Sequence, residues 1–224
     1  MPIIEVGARA SPLSLVQVDE VLNELQQIHP DIEFHLSTLQ TTGDQRQDIS
    51  LRGLEKSDFF TRELDEMLLS HKCRITIHSA KDLPDPLPDG LTIAAITHGI
   101  AEWDSLVIRP NNSIESLPSG AIIATSSERR EEAVRLLRPD LKFCDLRGTV
   151  DQRLKRLDNN SVDGVVVAEA ALIRLGLTHM NRIRLPGKTT PFQGKLAVLA
   201  RADDQEIISL ISTIDCRCEA FIPG

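Results

Sequence analysis

Short apolar runs alternate with stretches of helical periodicity along most of the chain. The apolar runs predict strands at Ile3 to Ala8, Ile32 to Gln40, Arg74 to His78, Leu91 to Thr97, Ser105 to Ile108, Ala121 to Ala124, Leu141 to Asp145, Asp163 to Ala168 and Leu196 to Ala200. The first predicted helix is the best marked: Ser11 can cap it, Pro12 suits its first position, and Leu15, Val18, Leu22 and Leu25 share one face before Pro30. Further helices are predicted from about Phe60 to Ser70, Ser127 to Leu137, Val150 to Leu157 and Asp203 to Thr213. Strand, helix, strand repetition implies an α/β fold with mainly parallel sheets and right-handed crossovers. Nine strands fit two small sheets better than one.

The pattern weakens over residues 98 to 120, where Asn111-Asn112-Ser113 and Leu117-Pro118-Ser119-Gly120 read as loops. That stretch is taken as the crossing into a second lobe, and the strand after Lys188-Thr189-Thr190-Pro191 as the crossing back. One lobe is therefore expected from 1–97 plus 195–224 and the other from 98–194. Ligands in such folds sit outside the carboxyl ends of the strands, so the expected site is an interlobe cleft. Thr42-Gly43-Asp44 to Gly53-Leu54 reads as a long polar connection.

Composition narrows the function classes. A chain of 224 residues that is 41% hydrophobic and 26% charged is of ordinary globular type. Its net charge of −8, with no Tyr, one Trp and six Phe, argues against general nucleic-acid binding by charge or by stacking. The N-terminus lacks a basic and apolar leader pattern, and no apolar run reaches the roughly 18 residues that cross a bilayer, so a cytoplasmic protein without membrane partners is expected. Cys73, Cys144, Cys216 and Cys218 form neither a disulfide framework nor paired zinc knuckles, and no metal site is expected. Charge is uneven: residues 1 to 60 hold four basic and ten acidic residues, whereas 125 to 156 hold nine basic and six acidic. A cationic segment in an anionic protein suits a small anion, although a solvated helix face has the same composition.

The residues that could carry chemistry gather at strand-to-helix junctions. His78-Ser79-Ala80-Lys81-Asp82-Leu83-Pro84 ends an apolar strand in ionic groups, where Lys81 could bind an anion and Asp82 move protons. On residue types alone the same run is also a polar turn with a surface ion pair. Thr125-Ser126-Ser127-Glu128-Arg129-Arg130 sets hydroxyls and two arginines at a helix start, a carboxylate or phosphate cradle in which one serine could equally be only the cap. Arg147 with Arg153, and Arg9 with Ser11, repeat the arrangement. Convergence of these cations predicts a small molecule bearing several anionic groups. GxGxxG, GxxxxGK[ST] and GxSxG are all missing, so nucleotide loops and a nucleophile elbow are not supported. His71 and His78 are read as structural.

Taken in order, Ala8 to Gln17, Thr42-Gly43-Asp44, Phe60-Thr61-Arg62-Glu63-Leu64, His78 to Pro84, Pro88-Asp89-Gly90-Leu91, Thr125 to Arg130, Arg147-Gly148 with Arg153, Arg174-Leu175-Gly176-Leu177 and Gln193-Gly194 resemble the porphobilinogen deaminase, or hydroxymethylbilane synthase, family. The resemblance covers about residues 3 to 204. It implies a two-lobed fold like that of periplasmic binding proteins and a monomeric, cytoplasmic transferase of tetrapyrrole and haem biosynthesis. Such an enzyme condenses four porphobilinogen units into linear hydroxymethylbilane with release of ammonia. It works through oligopyrrole intermediates on a dipyrromethane cofactor thioether-linked to a cysteine. By the same resemblance Asp82 is the catalytic acid/base, and Arg9, Ser11, Lys81, Thr125, Ser126, Ser127, Arg129, Arg130, Arg147, Arg153 and Arg174 bind substrate or cofactor carboxylates.

The chain also departs from the family pattern. Glu55-Lys56-Ser57-Asp58-Phe59-Phe60 replaces a glycine-rich loop, His98 to Asp104 lacks two arginines, and Thr149 replaces an Asn. The third domain that carries the cofactor cysteine is expected to be absent or vestigial, which leaves Cys216 or Cys218 as the candidate anchor. A non-catalytic two-lobed module that binds an oligopyrrole or another polycarboxylate is the alternative reading.

Overall fold

The computed structural model describes residues 3–46, 48–49 and 58–217. In chain order its elements are β1 (Ile3–Arg9), α1 (Pro12–Ile28), β2 (Glu33–Leu39), α2 (Thr42–Gln45), α3 (Arg62–Leu69), β3 (Ile75–Ser79), β4 (Leu91–Ile96), β5 (Asp104–Ile108), β6 (Ile122–Ala124), α4 (Glu128–Leu137), β7 (Lys142–Cys144), α5 (Val150–Asp158), β8 (Gly164–Ala168), α6 (Glu169–Arg174), β9 (Arg182–Arg184), β10 (Leu196–Arg201) and α7 (Gln205–Ile211). Single 3-10 turns cover Asp58–Phe60, Ala80–Asp82 and Ser212–Ile214. The described residues divide into two compact units, one from within 1–45, 56–100 and 195–224, the other from within 46–55 and 101–194.

Each unit is built on a five-stranded sheet, β2-β1-β3-β10-β4 in the first and β7-β6-β8-β5-β9 in the second. The expectation of mainly parallel strands needs a qualification. β1 pairs in parallel with β2 and β3, but β10 pairs antiparallel with β3 and β4. Likewise β6 pairs in parallel with β7 and β8, and β5 antiparallel with β8 and β9. Four strands of each sheet thus share a direction and one opposes them. In both sheets the reversed strand is the first laid down after the chain crosses from the other unit, so no helix is available to turn it parallel.

Helix α1 forms as its sequence predicts. Ser11 caps it by accepting the Ser14 N–H at 3.3 Å, and Pro12 opens it. Val18, Val21 and Leu25 are fully buried and meet Ile4, Val6, Ile75, Ile77, Leu196 and Val198 in the first core. Leu15 and Leu22 lie only half-buried, because the buried stripe is shifted toward Ser14 and Gln17. The second core joins Leu106, Ile108, Ile123, Val134, Leu141 and Val166.

Three elements were not anticipated. α2 turns the start of the supposed polar connection into one helical turn, while residues 47 and 50–57 lie outside the described residues. α6 follows β8 without a loop, and β9 is a charged three-residue strand paired to β5.

Candidate functional site

In the first unit Asp82 sits on the 3-10 turn that directly follows β3. Ala80 and Leu83 on either side are buried, and the Ala80 N–H donates to the Lys195 carbonyl at 3.0 Å, so the turn is pinned while the Asp82 side chain is exposed. No hydrogen bond or ion pair joins that carboxylate to another described residue. Lys81 is half-buried beside it. Gln17, buried on α1, donates through Nε2 to Ser79 Oγ at 2.9 Å, fastening the last residue of β3. His78 is structural: its Nε2 meets Thr76 Oγ1 at 2.9 Å, and burial, reinforced by the nearby Arg9 charge, pushes its pKa down to about 3, leaving a neutral ring.

Arg9, at the end of β1, is not an open cation. Its guanidinium forms an ion pair with Asp44 on α2, with Nε 3.2 Å from Oδ2, and lies 4.7 Å from the centroid of the Phe60 ring. Burial tends to raise the Asp44 carboxyl, but hydrogen bonds from Arg9 and from the Thr41 N–H and hydroxyl outweigh it and hold the pKa below the usual value. Ser11 spends a lone pair on capping α1 and keeps its O–H for donation.

In the second unit the three hydroxyls divide their work. Thr125, buried, accepts the Ser127 N–H at 3.3 Å; Ser126 Oγ both donates to and accepts from the Leu146 backbone at 2.8 Å. Ser127 stands at the N-cap position of α4, yet its side chain makes no capping bond. Arg129 and Arg130 converge on Asp104, the first residue of β5, each through Nη2 at 2.6 Å. With 1% of its side chain exposed, that carboxylate is shielded from water and compensated by the two guanidinium groups. Arg129 also donates to the Lys188 carbonyl at 3.1 Å, and Arg130 Nε is buried without an acceptor among the described residues.

Arg147, Arg153 and Arg174 donate to the carbonyls of Arg46, Gly148 and Gly194 at 3.1, 2.8 and 3.0 Å. Thr149 and Gln152 form a reciprocal capping box that starts α5, which is how Thr serves where an Asn was expected.

The structure therefore places Arg9, Lys81, Arg129, Arg130 and Arg147 at strand-to-helix junctions, with Arg153 inside α5 and Arg174 at the end of α6, and fixes several of them with partners that residue types did not announce: Asp44, Asp104 and a set of backbone carbonyls. Asp104 left one readable signal, a carboxylate opening the apolar run Ser105-Leu106-Val107-Ile108. Cys216 is half-buried in a turn, with its N–H on the Ile96 carbonyl at 2.9 Å and Sγ 3.4 Å from Lys195 Nζ. Cys218 lies outside the described residues. Among the described residues no three His, Cys, Asp or Glu side chains are grouped to hold a metal ion.

Residues 4–209 match the family model described as porphobilinogen deaminase, dipyromethane cofactor binding domain. A porphobilinogen deaminase of Desulforudis audaxviator is 40% identical over 215 residues, covering 95% of this chain and 70% of the relative. One from Syntrophomonas wolfei is 37% identical over 224 residues, 99% of this chain and 73% of the relative. Among solved structures, a probable amino-acid ABC transporter extracellular-binding protein from Bacillus subtilis aligns with a TM-score of 0.59 at 13% identity, over 96% of this chain and 91% of its own. The VFT2 domain of Bordetella pertussis BvgS aligns at 0.55 and 13% identity, over 95% of this chain and 86% of its own. At such identities these two show the fold alone.

Proposed function

The chain belongs to the porphobilinogen deaminase family, and from that premise we propose how its residues share the work of the reaction. It is a transferase of tetrapyrrole biosynthesis that polymerises porphobilinogen into hydroxymethylbilane. The observation that carries the assignment of roles is the exposed Asp82 carboxylate on a pinned turn at the carboxyl end of β3. There it accepts hydrogen bonds from pyrrole N–H groups and moves the proton that accompanies departure of the aminomethyl nitrogen as ammonia. Lys81 beside it, with Arg9 and Ser11 at the head of α1, binds acetate and propionate side chains. In the second unit Thr125, Ser126, Ser127, Arg129, Arg130, Arg147, Arg153 and Arg174 do the same.

A dipyrromethane fits this donor set. The Ser127 hydroxyl is not engaged in capping and Arg130 Nε is a buried donor without a described acceptor, which are the groups a ring bearing carboxylates would satisfy. When bound, the cofactor supplies the pyrrole position to which new units are joined. Its anchor is Cys216 or Cys218. The lobes we propose are 1–97 with 195–224 and 98–194, each bearing its own set of these residues. The free thiols Cys73, Cys144 and Cys216 suit a reducing cytoplasm, and each unit closes its own core, which suits a monomer with no nucleic-acid or membrane partner.

Asp82→Asn tests the assignment. Loss of general acid–base catalysis should lower kcat by roughly 10²- to 10⁴-fold. Because the side chain is exposed, the thermal midpoint should stay in place. Turnover at the wild-type rate in this variant removes Asp82 from the chemistry.

A further inference from the structure

Among the described residues, the non-glycine positions with positive φ are His71, Asn111, Asn160 and Phe192. Asn adopts this region readily, and His71 follows the end of α3, where left-handed backbone is usual. Phe192 has neither reason. It is the third residue of a turn closed by the Gln193 N–H to the Thr190 carbonyl at 3.3 Å, with Pro191 second. Its φ of 60° is the value that turn position demands and that glycine or asparagine normally supplies. Nor does packing favour Phe here, since the residue is 52% exposed. A bulky aromatic thus holds a disfavoured backbone and stays in solvent, a combination that points to function.

The surroundings say what kind. The segment is held rigid: Gln193 is buried and donates through Nε2 to the Glu102 carbonyl at 3.2 Å, and a side chain at Gly194 would run into the Ala101 backbone. Its two ends are bound by arginines, Arg129 on the Lys188 carbonyl and Arg174 on the Gly194 carbonyl. A flat exposed ring on a fixed turn, bracketed by guanidinium groups, complements a flat heteroaromatic ring bearing carboxylates.

We propose that Phe192 is a stacking residue for a pyrrole ring of the substrate or of the growing chain, whose carboxylates the bracketing arginines take. This rests on the family's reaction and adds to it a specificity-determining residue. Stacking acts equally on ground and transition states, so it should appear in KM and not in kcat.

The test compares Phe192→Gly, Phe192→Leu and Phe192→Tyr with the wild-type protein, by turnover, by calorimetric titration with porphobilinogen and by thermal unfolding. Glycine relieves the backbone and keeps the fold, so its thermal midpoint should equal or exceed that of the wild type. Its KM and dissociation constant should rise roughly three- to tenfold, with kcat within about twofold. Tyr should restore both constants and Leu should not. Wild-type KM and affinity in Phe192→Gly overturn the proposal while leaving the reaction in place, and wild-type behaviour of Phe192→Leu overturns its aromatic character. A wild-type protein that binds porphobilinogen without converting it refutes the catalytic reading alone, and the titrations then still decide the stacking; one that neither binds nor converts it refutes both.

Discussion

Asp104 and Arg130 meet through a 2.6 Å charge-assisted hydrogen bond that lies almost wholly out of solvent, at the point where β5 begins and α4 makes its first turn. Arg129 approaches the other oxygen of the same carboxylate. Two adjacent guanidinium groups repel, and the carboxylate they share offsets that repulsion.

Removing that carboxylate's charge should therefore be expensive. Asp104→Asn leaves two cations around a neutral amide and should cost about 3 kcal/mol of unfolding free energy. Urea denaturation would show it as a lower midpoint at unchanged slope. An Asn variant as stable as the wild type would mean that the two arginines need no counter-charge.

The buried titratable groups predict opposing pH dependences. Burial raises Asp65 to about 6, against a lowering pull from the nearby Thr61 hydroxyl and with the carboxylates of Asp58, Glu63 and Glu66 adding to the rise. Between the unfolded value of 3.8 and about 6 the unfolded chain has released a proton that the native state keeps, so stability falls as pH rises through that window. His78 acts oppositely: native His78 stays neutral down to about 3, the unfolded ring protonates below 6.5, and stability is lost as pH falls. Asp65→Asn should stabilise the protein by on the order of 2 kcal/mol above pH 6 and have no effect at pH 3.5. His78→Gln should flatten the acid side of the profile. Denaturation midpoints across pH 3.5 to 8 would decide both, and a pH-independent Asp65→Asn effect would contradict the first.

Gly148 should resist replacement. Its φ is 92°, and a Cβ there would stand 2.5 Å from Gln152 Oε1, the oxygen that closes the capping box. Gly148→Ala should lower stability by about 2 kcal/mol. Adding Gln152→Ala should recover only the steric share, since the backbone strain remains. Calorimetric unfolding of the single and double variants separates the two.

Gln17 offers a test of how the reactive turn is held. Gln17→Leu removes the donor to Ser79 and should cost about 1 kcal/mol. If the bond also steadies the turn that carries Lys81 and Asp82, kcat falls while KM for porphobilinogen holds, a split that simple destabilisation would not produce.

Much of this architecture was readable from residue patterns, because strands such as Val165-Val166-Val167 and the Ser11-Pro12 start of α1 announce themselves locally. β9 did not, since Arg182-Ile183-Arg184 has a single apolar residue and is a strand only because β5 offers it an edge. The cationic junctions were legible for the same local reason. Their counter-charges were not: Asp44 is 35 positions from Arg9 and Asp104 is 26 from Arg130, and no pattern within a helix or strand encodes such pairings. Phe192 hid for a different reason, since Thr190-Pro191-Phe192-Gln193 announces a turn but not the sign of φ at its third residue.

The position of β10 has a consequence for synthesis. Although it is the last strand in chain order among the described residues, it lies inside the first sheet, between β3 and β4, whereas every described strand of the second sheet falls within residues 101–194. A nascent chain emerging from the ribosome can close its second sheet while the first still has a gap one strand wide. Until residues 196–201 arrive, β3 and β4 each present an unpaired edge, and that interval is when the protein is most exposed to aggregation.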